Sequence, residues 1–98
     1  MSNAQSRQVT VKGEHGLHLV PCSLIAKTSN VYACEIEIRT GNKLAKAKNI
    51  FDLMGLGVGK GAVLTLSATG DDAEVALAAL EELFNSGFEP HARPEIAP

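Results

Sequence analysis

The sequence predicts an α+β fold in two layers, with a four-stranded antiparallel sheet carrying three helices on one face in the order βαββαβα. Three observations lead there. Residues 8–12, 34–39 and 62–68 alternate apolar and polar positions with a period of two, and 44–47 can return antiparallel to the second of these stretches. Residues 19–29 and 71–86 space their apolar side chains as helices do, with a shorter helical segment near 49–56. Turn and cap residues such as Gly41-Asn42, Gly57 and Gly87 separate these segments.

In the first strand, Gln8-Val9-Thr10-Val11-Lys12, alternation marks a half-buried element. The first helix should run from about Leu19 to Ser29, with Pro21, Ile25 and Thr28 on one face, Cys22, Ala26 and Ser29 beside them, and Asn30 as a left-handed C-cap. Cys34-Glu35-Ile36-Glu37-Ile38-Arg39 turns its apolar members inward. The turn Thr40-Gly41-Asn42-Lys43 then makes a hairpin with Leu44 to Ala47. Glu35 and Glu37 can face Lys43 and Lys46 there, as a solvated surface rather than a site. Asn49 caps a short helix reaching Leu56, with Leu53 and Leu56 inward and some of Ile50, Phe51 and Met54 left exposed. Gly57 to Gly61 reads as a flexible turn that leads into a strand, so it is not a phosphate-binding P-loop. After the strand Ala62 to Ala68, Asp71 with Glu74 fits a capping box for a helix that Gly87 stops, with Phe88 folding back on Leu83.

A chain of 98 residues has room for one domain, expected over residues 7–88, with a disordered stretch at 1–6 and a tail at 89–98. Met1-Ser2-Asn3-Ala4 looks like an expression-vector remnant. A formal net charge of −2 argues against a nucleic-acid surface and a polybasic membrane patch. No apolar run approaches a bilayer span and no signal-peptide core precedes Val9, so a soluble, cytoplasmic protein is expected. Cys22 and Cys34 make no disulfide framework and are expected as free thiols.

The chemistry concentrates in Glu14-His15-Gly16-Leu17-His18-Leu19-Val20-Pro21-Cys22. Gly16 permits a sharp turn, and the apolar run from Leu19 to Ala26 starts a helix just past His18, which makes His18 the N-cap. Pro21 suits the first turn, although it biases Val20 away from helical geometry. The backbone amides of Leu19 and Val20 would then lack helical partners and favour an anion beside the imidazole. A neutral imidazole nitrogen can attack an activated phosphoryl group, so one reading is a phosphoryl-accepting histidine. The other is a surface histidine that only caps a helix. His15, His18 and Cys22 are close in sequence but too few and too loosely spaced for a zinc signature, so no metal site is assigned.

Gly16-Leu17-His18-Leu19-Val20-Pro21 resembles the Gly-Leu-His-Ala-Arg-Pro signature of the HPr family, the histidine-containing phosphocarriers of the bacterial phosphoenolpyruvate-dependent sugar phosphotransferase system. Residues 47–57 resemble the family's second-helix motif, and Lys60-Gly61 and Ala68-Thr69-Gly70-Asp71-Asp72-Ala73 resemble its last strand and the approach to its last helix. The resemblance covers about Gln8 to Phe88. It implies an open-faced sandwich and phosphoryl transfer through His18, from enzyme I to an enzyme IIA domain. It further implies a monomeric carrier without a cofactor, passing on a phosphohistidine rather than acting as a stand-alone catalyst. Leu19, Val20, Ile50, Phe51 and Met54 would form the docking surface for partners.

Two positions depart from the family pattern. Val20 stands where members carry an arginine that screens phosphoryl charge, and hydrogen bonds to charged groups contribute roughly 1.5–3 kcal/mol. Asn49 stands where Gram-positive members carry a regulatory serine; it can cap the helix but offers no hydroxyl for phosphorylation. The loss of the arginine keeps a second reading open, an HPr-like regulatory module that binds protein partners with weak or no phosphoryl transfer. In the tail, His91-Ala92-Arg93-Pro94 repeats the family tetrapeptide, but no Gly-Leu turn precedes it and no amphipathic helix follows.

Overall fold

The computed structural model describes residues 4–88. Seven elements follow in the expected order: β1 (Ala4–Thr10), α1 (Leu19–Ser29), β2 (Glu35–Thr40), β3 (Lys43–Lys46), α2 (Ile50–Met54), β4 (Val63–Thr69) and α3 (Ala73–Asn85). The strands form one antiparallel sheet in the order β1-β4-β2-β3, covered by the three helices as an open-faced sandwich.

Register follows from which residues must be inside. Val9 of β1 pairs with Leu64 of β4, Ile38 of β2 with Leu66 of β4, and Ile38 with Ala45 of β3, so one face of the sheet is apolar across all four strands. A slip of one residue in any strand would turn that set into water. Leu77, Leu80 and Phe84 of α3, Ile25 of α1 and Leu53 of α2 close over it in one core, with each large side chain contributing about 1.5–3 kcal/mol on burial. Cys22 and Cys34 lie in this core as free thiols.

Several boundaries and caps differ from the sequence reading. β1 begins at Ala4, so residues 4–6, expected to be disordered, are strand: Ala4, Gln5 and Ser6 pair with Thr69, Ala68 and Ser67. Backbone pairing holds this stretch where no apolar alternation announces it. β3 ends at Lys46, although the Ala47 N–H still donates to the Ile36 carbonyl. β4 runs one residue later than expected, from Val63 to Thr69. The hairpin loop is Gly41-Asn42, with Gly41 at φ +59°. Glu37 lies opposite Lys46 without closing to an ion pair; among the described residues the pairs that form are Arg7–Glu81 at 3.9 Å and Lys60–Glu14 at 3.7 Å.

Asn30 is right-handed, at φ −72°, and caps α1 with its side chain, donating to the Ala26 carbonyl at 2.7 Å and to the Lys48 carbonyl at 3.2 Å. The capping box at Asp71 and Glu74 does not form. The N-cap of α3 is Asp72, and its carboxylate accepts from the Ala33 N–H at 3.0 Å instead of from its own helix. The end of α3 is a Schellman motif as expected: the N–H of Phe88 donates to the Leu83 carbonyl, that of Gly87 to the Phe84 carbonyl, and the Phe88 ring meets Phe84 edge-on at 4.9 Å. The expectations for residues 1–3 and 89–98, including His91-Ala92-Arg93-Pro94, lie outside the described residues.

Candidate functional site

The loop between β1 and α1 is tied down at both ends. Val11 exchanges backbone hydrogen bonds with the turn before β4, donating to Ala62 at 2.8 Å and accepting from Gly61 at 2.7 Å. The Leu17 N–H donates to the Val58 carbonyl at 3.2 Å, and the Leu17 side chain is buried in the core. Between these anchors Gly16 takes φ +68° and lies so close to Val58 that a Cβ would come within 2.3 Å of its carbonyl oxygen. The turn 57–61, read from sequence as merely flexible, is therefore the brace that fixes the position of His18. Its one sequence signal is Val58 held between two glycines.

His18 is the N-cap of α1, exposed and extended at φ −103°, and its side chain makes no cap hydrogen bond. His18 occupies the cap position through its backbone, and its ring is left free of any cap bond. The first helical bond runs from the Cys22 N–H to the His18 carbonyl, so the amides of Leu19 and Val20 are left without partners. Pro21, third in the helix, has no N–H to leave unpaired. Val20 is helical despite the proline that follows it. This corner sets an imidazole beside two unpaired backbone donors and the positive end of an 11-residue helix, which suits a tetrahedral anion.

Around His18 the surface is apolar rather than cationic. Leu19 is 58% exposed and Val20 57% exposed. α1 packs on α2, where Phe51 is 81% exposed and Met54 42%, while Ile50 is half-buried against the core and Leu53 and Leu56 are buried. Of the three apolar residues that could not all be buried, Phe51 and Met54 are the ones in water. α2 is only five residues long, ending before the expected Leu56, and its N-cap Asn49 accepts from the N–H groups of Phe51 at 2.9 Å and Asp52 at 3.2 Å. An open groove of about 380 Å³ lies beside Phe51, lined also by Lys43, Leu44, Asp52, Gly55 and Leu56, and it does not include the His18 loop.

His15, also exposed, sets its ring edge-to-face with that of His18, with centroids 5.9 Å apart. Sequence spacing alone does not bring these rings together; the left-handed turn at Gly16 does. Cys22 points into the core and does not join the two imidazoles. Burial pushes its thiol above the ordinary range. Among the described residues no three His, Cys, Asp or Glu side chains are grouped to hold a metal ion, and no helix is long and apolar enough to cross a membrane.

Comparison with known proteins follows the same lines. The profile of the family described as PTS HPr component phosphorylation site matches residues 5–86. The chain is 41% identical over 99 residues to the multiphosphoryl transfer protein of Rhodobacter capsulatus, covering 96% of this chain but only 12% of that much longer protein. It is 35% identical over 72 residues to the phosphocarrier protein HPr of Haemophilus influenzae, covering 74% of this chain and 85% of that one. The crystal structure of HPr-C-His from Thermoanaerobacter tengcongensis superposes with a TM-score of 0.84 at 36% identity, covering 90% of this chain and 99% of that one. With fold, order of elements and sequence in agreement, the chain belongs to the HPr phosphocarrier family of the bacterial phosphoenolpyruvate-dependent sugar phosphotransferase system.

Proposed function

We propose that His18 is the residue that carries the phosphoryl group. The observation behind this reading is the exposed, uncapped imidazole at the mouth of α1, next to the unpaired amides of Leu19 and Val20. The lone pair of Nδ1, the nitrogen that the family resemblance implies, attacks phosphorus in phospho-enzyme I. The phosphorus–nitrogen bond to the donor histidine breaks and its electron pair stays with the donor. Transfer to an enzyme IIA domain repeats the exchange with His18 as leaving group. The two amides receive phosphoryl oxygens, and no cofactor enters. Leu19, Val20, Phe51 and Met54, with part of Ile50, form the apolar docking surface for both partners, each met in turn by a monomeric carrier. Asn49 holds α2 together and leaves the regulatory-serine position without a phosphorylatable hydroxyl.

One observation favours a second reading, in which the chain is a regulatory module that docks proteins and transfers little or nothing. Val20 places an exposed apolar side chain where the family pattern has a guanidinium. Treatment with phosphoenolpyruvate and enzyme I separates the two. Acid-labile, base-stable label that disappears in His18→Ala supports the carrier; no label on the natural chain, with partners still captured by His18→Ala, supports the module. Val20→Arg run alongside should transfer faster, by roughly tenfold if one charge-assisted hydrogen bond is restored.

A further inference from the structure

A phosphoryl group on His18 would carry close to two negative charges, and the helix mouth offers only partial positive charge to meet them. Val20 contributes none. Of the charged or titratable groups around the loop, Lys12 donates to the Asn85 carbonyl at 3.2 Å, Lys60 lies 3.7 Å from Glu14, and Cys22 is buried in the core. That leaves His15, exposed and with its ring 5.9 Å from that of His18. The contact is built in. Gly16 at φ +68° reverses the chain between the two histidines, and the Val58 brace leaves no room for a side chain there that would open the turn.

Resting on the reading of His18 as the phosphoryl carrier, we propose that His15 is the second charged group of the site: as an imidazolium it holds the phosphoryl oxygens on His18, in the role that position 20 does not fill. A fixed guanidinium would act at every pH, whereas this cation is present only while His15 is protonated. Phosphorylation of His18 brings an anion beside His15 and so raises the pH at which His15 loses its proton. The added hold on the phosphoryl group is complete at low pH and is lost as pH rises through that raised midpoint. Glu14, next to His15 in the chain, is paired with Lys60 at 3.7 Å, so their opposite charges largely offset each other.

The test follows His15 by NMR of the ring nitrogens and carbon-bound protons in the full chain, before and after phosphorylation. Phosphoramidate serves as donor, since it needs no protein partner: its phosphorus–nitrogen bond breaks, ammonia leaves, and the new bond forms to the His18 ring. The titration midpoint of His15 should rise by about one pH unit on phosphorylation, the size expected of a nearby near-dianion with solvent screening. Loss of phosphate from His18 should quicken severalfold in His15→Gln, and His15→Lys should restore the slow rate and remove its pH dependence between pH 6 and about 8. A midpoint that does not move, or a His15→Gln variant that loses phosphate at the natural rate across that range, overturns the proposal. Failure of enzyme I to label the chain while the phosphoramidate result holds would refute the carrier reading and leave the pairing of the two histidines standing.

Discussion

At the scale of single residues, the site depends on Gly16 as much as on His18. Its backbone occupies the left-handed region and its α-carbon faces the Val58 carbonyl, so Gly16→Ala adds a conformational cost of about 1–2 kcal/mol to a clash with backbone that cannot rotate away. The variant should unfold at lower denaturant, by about 2 kcal/mol or more. In whatever fraction stays folded, the bond from Leu17 to Val58 should be loosened, which hydrogen exchange at the Leu17 amide would register. Unchanged exchange and unchanged stability would mean that the brace does not position the histidine. The identity of His18 as the candidate was legible from its neighbours in sequence. Its contact with His15 was not, because that depends on the sign of one dihedral angle and on a loop more than forty residues away.

At the scale of elements, α2 is the least self-sufficient part of the fold. Five residues are too few to sustain a helix alone, and the segment is held from outside: by Asn49 at its start, by Asp52 accepting from the Lys46 N–H, and by the Lys43 ammonium donating to the Leu56 carbonyl just beyond its end. Asn49→Ala removes the acceptor shared by two amides and should cost about 1 kcal/mol, read as a shift in the unfolding midpoint, with larger chemical-shift changes at Phe51 and Met54 than in α3. Because those two side chains belong to the proposed docking surface, binding of enzyme I should weaken by more than the stability loss alone explains. The capping by Asn49 was readable because it is local, an oxygen two and three residues from its donors. The roles of Asp72 and Asn30 were not. Each spends polar atoms on a partner distant in sequence, Ala33 for one and Lys48 for the other, and nothing nearby in the chain encodes that choice.

At the scale of the whole molecule, the two thiols couple ionisation to folding. Cys22 lies on the buried side of the site helix and Cys34 just before β2, both almost wholly removed from water. Burial raises both thiols above their ordinary value of 9.0; for Cys34, Asp72 and Glu35 add to the rise and Lys48 opposes it. A group whose midpoint is raised by folding contributes stability that is intact below its unfolded value and is lost as pH climbs toward the folded one. Stability should therefore hold up to about pH 9 and fall above it, with a limiting slope of about 1.4 kcal/mol per pH unit for each thiol that stays protonated in the fold. Denaturation midpoints measured between pH 7 and about 10 check this, and a Cys22→Ala, Cys34→Ala variant isolates the contribution of the thiols from that of every other group. The natural chain should lose more stability over that interval than the double variant, and a thiol reagent applied at neutral pH should react only as fast as the core opens. Equal losses in the two proteins, or rapid labelling of the folded chain, would mean that the thiols reach solvent without unfolding and that the packing beneath the His18 helix is looser than its burial indicates.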